Sequence, residues 1–329
     1  MYAYFDIENL SSFVKSSAKE KFADCNRMLK THFDIKFNFP KKKMLEYPEL
    51  MPWITSMTQG AKGTVDYLDD SVYPPRPLKS NTHKDFDKEH LSAVYLLNDE
   101  RIGTIMNNGA IMYAGVGQEV DVLSSLIKDD DYGFEKEFQV RHLNNWDALD
   151  DHITPTTDII VVDQYIFSDD SIYDYNIYAL LEKLCHKVRN ASVNIIIFTL
   201  PSNYNRISRF EFTPDWGAIK AKIKSLIKRI TGLDPKVTFV LPRRLEEHDR
   251  TVFTNYQYLV SGDTLNYFDS QWRVITNGRF LRIESAAHKD HYAAAMAFID
   301  DMQAIINETK RRNPDSIKFD KSSYYLNFD

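Results

Sequence analysis

A chain of 329 residues with 43% hydrophobic and 27% charged residues is long enough to bury a full core and excludes a disordered or fibrous protein. Its 11 glycines argue against Gly-rich nucleotide loops, and two cysteines, Cys25 and Cys185, with no CxxC spacing cannot build a structural zinc site by themselves. The net charge of −6 is uneven: residues 129–175 hold thirteen acids against two bases, whereas residues 205–250 hold eleven bases against six acids.

In the first half AYFDI, FDIKFNF, LSAVYLL and AIMYAGVG read as strands, with helices expected near 12–30, 118–127 and 145–152. Residues 67–86, containing Pro74, Pro75 and Pro77, read as a long loop. AGVGQE (114–119) reads as a tight strand-to-helix turn, its glycines being wrongly spaced for a dinucleotide fingerprint. In FDIENL, Asp6 closes a strand and Asn9 follows three residues later. This Asp-x-x-Asn looks like the opening of NYN/PIN-type ribonucleases, which hold Mg²⁺ with a cluster of acids. The resemblance implies further acids at strand ends, for which Asp99 and Asp121 are the candidates. Helix capping is the other reading of Asp6 and Asn9.

The second half alternates strand and helix. TDIIVVDQYIF (157–167), VNIIIFTLP (193–201) and VTFVLP (237–242) are buried strands by their continuous apolar runs. Helices are expected from Asp169 to about Val188, from Pro214 to Thr231 before Gly232, and over 288–306. The fold class is therefore α/β with two domains, 1–153 and 154–310, followed by a loosely attached tail over 311–329.

The run HDRTVFTNYQYLVSGDTLNYF (248–268) reads as a β-hairpin. His248 and Arg250 are two apart and point to one face of a strand, where an imidazole and a cation suit a phosphodiester. With Asn255 five residues on, and Gly262 and Asp263 beyond, the spacing resembles the phospholipase D superfamily, whose motif runs His-x-Lys, four residues, Asp, six residues, Gly-Ser. Arg250, Asn255 and Asp263 replace the motif's Lys, Asp and Ser. HDR followed by SGDTLNYF is also similar to the C-terminal phospholipase-D-like domain of MIT-domain proteins, a branch regarded as binding modules. The resemblance covers about residues 155–308. It implies a phospholipase-D-like unit with His248 as the catalytic nucleophile, or as part of a binding site without turnover, and with Arg250, Asn255 and Asn266 on the phosphate oxygens. A complete catalytic site of that type needs two histidines and so a homodimer. The contiguous His288-Lys289-Asp290 opens a helix and lacks the motif's spacing.

The helix WGAIKAKIKSLIKRI (216–230) sets Lys220, Lys224 and Lys228 in a row opposite an apolar face, with Arg206 and Arg209 before it and Arg243 and Arg244 after it. The row reads either as a solvated face or as a track for a nucleic-acid backbone or anionic headgroups. No apolar run reaches the roughly 18–20 residues of a membrane span, and MYAYFDIENLSSF lacks the features of a signal peptide, so a cytoplasmic protein is expected. The function expected is recognition of a phosphodiester, most naturally nucleic acid, with no cofactor and no metal site. The alternatives are a metal-independent nuclease acting as a dimer, a phospholipid-headgroup binder, a metal-dependent ribonuclease run from Asp6, and a structural subunit of a larger protein complex. A place in a bacterial defence system fits this make-up by association.

Overall fold

The computed structural model describes residues 1–59, 64–67, 88–98, 109–204, 211–245, 250–276 and 280–329. Its fold is α/β, built on two sheets. The first holds β1 (Tyr2–Phe5), β2 (Asp34–Phe37), β3 (Val65–Asp66), β4 (Val94–Leu96) and β5 (Tyr113–Ala114) in the order β3-β2-β1-β4-β5, all neighbours parallel. Helices α1 (Ile7–Lys15) and α2 (Phe22–His32) connect β1 to β2. They replace the single helix expected near 12–30. Further along lie α3 (Met51–Thr58), α4 (Lys88–Leu91) and α5 (Glu119–Ser124).

The second sheet adds β6 (Glu135–Gln139), β7 (Asp158–Val162), β8 (Asn194–Phe198), β11 (Lys236–Val240), β12 (Arg250–Thr254), β13 (Gln257–Ser261), β14 (Phe280–Ser285) and β15 (Ile317–Phe319). A separate small hairpin pairs β9 (Asn203–Tyr204) with β10 (Glu211–Phe212). The eight strands run in the order β15-β11-β8-β7-β12-β13-β14-β6. β11, β8 and β7 are parallel, as their buried apolar runs require. From β7 onward the sheet continues as an antiparallel meander.

Alternation along the central strands sorts two apolar clusters. Ile159, Val161, Ile195, Ile197 and Phe239 pack against α6 (Ile177–Cys185) and α7 (Trp216–Thr231). α7 is bounded as its sequence predicts: Asp215 caps it by accepting from the Ala218 amide at 3.0 Å, and Gly232 ends it at φ 84°. On the opposite face Ile160, Val162, Ile196, Phe198 and Val240 join α8 (Lys289–Arg312) and the residues of the first sheet in one continuous cluster.

That shared core runs across the expected division at 153/154. β6 precedes the cut, yet it pairs along its full length with β14 at the edge of the second sheet. Its sequence, EKEFQ, is half exposed and carries no apolar run to announce it. The 311–329 tail is not loosely attached either. β15 pairs with β11, and Ser323 Oγ and the Tyr324 amide donate to buried Asp158 at 2.5 and 2.9 Å. Tyr325 and Leu326 are buried. Among the described residues no helix is long and apolar enough to cross a membrane.

Candidate functional site

In the first sheet the chain runs β1, β2, β3 to one side and then returns to lay β4 and β5 on the other. The carboxyl ends of β1 and β4 thus form a topological switch point, where diverging loops open a crevice. Asp6, directly after β1, stands there. It occupies the N-cap position of α1, but its side chain caps nothing. Instead its carboxylate accepts from Asn38 Nδ2 at 2.8 Å, beyond β2, and from the Asn98 amide at 3.1 Å, beyond β4. The capping reading of Asp6 is therefore replaced by a carboxylate fixed between three strand ends.

Asn9, one turn into α1, is fully buried and donates to Glu119 Oε1 at 3.0 Å and to the Ala114 carbonyl at 3.3 Å. Its own Oδ1 is buried without a hydrogen-bond partner, a costly state for an amide oxygen. Glu119 opens α5 just after β5 and also accepts from Ser12 Oγ and the Gly117 amide, each at 3.0 Å. Burial pushes its carboxyl pKa up, against the opposing pull of these hydrogen bonds. Gly117 takes φ 92°, the left-handed region, which turns the chain back onto Glu119. Of the acids proposed from sequence, Asp121 lies on the surface in an ion pair with Lys19 at 3.5 Å, and Asp99 lies outside the described residues.

Asp6, Asn9 and Glu119 are all hard oxygen donors, and the orphaned Asn9 Oδ1 adds an acceptor in want of a partner. Oxygen donors of this kind are those that Mg²⁺ or Mn²⁺ take, one or two carboxylates with the shell completed by water and substrate phosphate. No group of three or more His, Cys, Asp or Glu suited to a metal stands together among the described residues. Glu119, Asn38 and Asn98 were not singled out by sequence. The available signal was position, since Asn38 directly follows β2 and Asn98 comes one residue after the end of β4's apolar run.

The fold divides the hairpin motif: Arg250 and Asn266 both stand beside Tyr165, whereas Asn255 lies at the other end of β12. β12 and β13 form the hairpin, and its two-residue turn is Asn255-Tyr256. Asn255 is fully buried and accepts from Thr156 Oγ1, the Thr157 amide and Thr157 Oγ1 at 3.1, 2.8 and 3.1 Å. It is a structural bracket at the amino end of β7, away from the Arg250 end of its own strand, and is not placed to hold phosphate. Asn266 is likewise buried, and its Nδ2 donates to the Tyr165 carbonyl at 2.9 Å. His248, Arg206 and Arg209 lie outside the described residues.

Arg250 begins β12 at the carboxyl end of β7, its guanidinium carbon 5.7 Å from the Tyr165 ring centre. Beside it Asp163 is buried and accepts from the Tyr165 amide, Thr264 Oγ1 and the Leu265 amide at 2.8, 2.8 and 2.7 Å. Burial raises its pKa, while those bonds and the Arg250 charge lower it. Arg243 and Arg244, after β11, are exposed and line a cleft of about 1140 Å³ against α8.

The lysine row is counter-charged. Lys220 and Lys224 both reach Asp320, at 2.9 and 3.4 Å, and Lys228 reaches Asp234 at 3.3 Å. Lys222 and Arg229 pair with Asp174 and Glu182. Each cation of the row therefore has an acidic partner, and a polyanion along α7 would compete with five such pairs.

No protein-family model matches this chain, and no curated protein matches it. Among solved structures it is similar to that of TrmBL2, an archaeal chromatin protein with a novel mode of DNA binding, at 8% identity and a TM-score of 0.26 over 59% of each chain.

Proposed function

We propose that this chain is a divalent-cation-dependent nuclease that hydrolyses nucleic-acid phosphodiesters at the carboxyl edge of the five-stranded sheet. The observation that carries the reading is Asp6: a helix N-cap residue whose carboxylate is withheld from capping and held by Asn38 and Asn98 at the switch point. The Asp-x-x-Asn resemblance to NYN/PIN-type ribonucleases and the unpartnered Asn9 oxygen support it.

When bound, a hard divalent cation supplies Lewis-acid polarisation of the phosphoryl oxygen and lowers the pKa of a coordinated water. Asp6, held in one orientation by Asn38 and Asn98, would be a carboxylate ligand for that cation. Asn9 offers its amide oxygen while its nitrogen is pinned by Glu119. In the reaction a water oxygen bonds to phosphorus as the bridging P–O bond breaks, one water proton passing to solvent and the leaving oxygen taking a proton from solvent to give a free hydroxyl.

A second reading, phosphodiester binding or metal-independent cleavage through His248 in a homodimer of phospholipase D type, is favoured by the position of Arg250 beside Asp163. Labelled single- and double-stranded RNA and DNA, incubated in Mg²⁺ or in EDTA, separate the two. The first reading expects cleavage in Mg²⁺ alone, reduced at least roughly 100-fold in Asp6→Asn and retained in His248→Ala. Cleavage that persists in EDTA and disappears in His248→Ala would overturn it in favour of the second.

A further inference from the structure

We infer that the carboxyl edge of the eight-stranded sheet is a binding ledge for single-stranded nucleic acid, with one base against Tyr165 and the backbone phosphates on Arg250, Arg243 and Arg244. The inference rests on the nucleic-acid reading but uses residues remote in the fold from Asp6.

The strand order β11-β8-β7-β12 sets the segments that follow β11, β8 and β7 in a row. β12 is antiparallel to β7, with Thr251 opposite Val162, so its first residue, Arg250, joins the same edge. Two bonds clip the row together: Gln164 Nε2 donates to the Leu245 carbonyl at 2.5 Å, and Thr199 Oγ1 to the Gln164 carbonyl at 3.2 Å. At the usual inter-strand spacing, three strand-to-strand steps make a ledge roughly 14 Å long. That length accommodates a short run of unpaired nucleotides rather than a single phosphate.

Tyr165 is the aromatic of this ledge. It is 41% exposed, unusual for a large ring, yet its backbone is held at both ends, the amide by Asp163 and the carbonyl by Asn266. Its backbone is thus already ordered when a base stacks on the ring. The Arg250 guanidinium 5.7 Å from the ring centre adds cation–π character and a charge for the adjoining phosphate. Arg243 and Arg244 continue the positive lip, facing an α8 wall on which Asp301 stands near a Glu308–Arg312 ion pair. Stacking needs an open base face, which a duplex hides and a single strand presents. A lipid headgroup would engage the arginines and leave the ring unused.

The test is fluorescence anisotropy of the full chain with short labelled oligo-dT, oligo-U and the corresponding duplexes, in EDTA and at several salt concentrations. Tyr165→Ala is expected to weaken single-strand binding roughly 5- to 150-fold, with Tyr165→Phe near wild type. Arg243→Gln with Arg244→Gln is expected to lower the salt slope by about 1 to 2. The DNA and RNA arms decide which sugar is preferred, and tighter binding of either supports the ledge. Oligonucleotide binding indifferent to Tyr165→Ala, duplexes bound as tightly as single strands, or anionic phosphatidylserine vesicles bound in place of oligonucleotides would each overturn it. Because the readout needs no turnover, a chain that binds but never cleaves refutes the Asp6 reading alone.

Discussion

Asn255 and Leu91 stand 164 residues apart and are joined by a 2.9 Å hydrogen bond from the Asn255 amide to the Leu91 carbonyl. The next residue, Tyr256, donates to the Ala93 carbonyl and accepts from the Met112 amide, both at 2.8 Å. A two-residue hairpin turn of the second sheet thereby satisfies backbone groups at the amino ends of β4 and β5 in the first. The motif position that a phosphodiester reading assigns to chemistry is here the mortar between two sheets.

Replacing Asn255 by the Asp of the phospholipase D motif should therefore harm the protein. A carboxylate keeps the acceptor role toward Thr156 and Thr157 but loses the donor and sets a buried charge against the Leu91 carbonyl. Denaturant unfolding should show a loss of about 1–3 kcal/mol. Unchanged stability would mean that the bracket is unimportant.

Lys220→Gln with Lys224→Gln should lower the thermal midpoint without weakening nucleic-acid binding. Both lysines hold Asp320, which also accepts from the Val237 amide at 2.9 Å and so fixes the C-terminal segment. A selective loss of oligonucleotide binding, with the midpoint unchanged, would support the track reading.

Buried Asp158 should make stability fall as pH rises through its window. Burial raises its carboxyl pKa from 3.8 to about 6, partly offset by hydrogen bonds from Ser323, Tyr324 and Asn194. The native state then holds a proton that the unfolded chain has released. The contribution is complete below about pH 4 and is lost as pH rises through about 6, amounting to about 3 kcal/mol at most. Asp158→Asn should flatten that part of the stability profile, measured by urea unfolding from pH 4 to pH 7. A profile of unchanged slope contradicts it.

His32 should act in the opposite sense. Its ring lies 4.4 Å from His288 and 5.0 Å from Phe134, centre to centre. Burial, then the charges of His288 and Lys289, bring its pKa down from 6.5 to about 4, with Asp290 opposing and His291 adding to the fall. The native ring thus stays neutral where the unfolded one is protonated. Stability from it is present above pH 6.5 and lost as pH falls toward 4. His32→Phe should remove that acid sensitivity while keeping the ring packing. An acid limb identical to wild type would refute the assignment.

How much of this was legible follows from where each signal resides. β7, β8 and β11 announce themselves because both faces are buried and the runs are apolar, β2 by its alternation, and α7 because its cap, amphipathic spacing and terminal Gly232 agree. β6 and β15 are short edge strands whose exposed faces are polar, so only pairing reveals them. Asp6 and Asn9 could be picked out by spacing, but Asn38, Asn98 and Glu119 reach them only through parallel pairing of strands far apart in the chain. The counter-charges of the lysine row were not legible, because Asp174, Glu182 and Asp320 lie outside the local window in which the charge was counted.

The account turns on whether the Asp6 edge holds a divalent cation. Titration of the full chain with Mn²⁺, followed by electron paramagnetic resonance of the free ion, reads this without any substrate. The expected result is a site in wild type that weakens at least roughly tenfold in Asp6→Asn and in Glu119→Gln, with circular dichroism unchanged. Mn²⁺ binding of equal strength in wild type and both variants, or no binding in any of them, would contradict it.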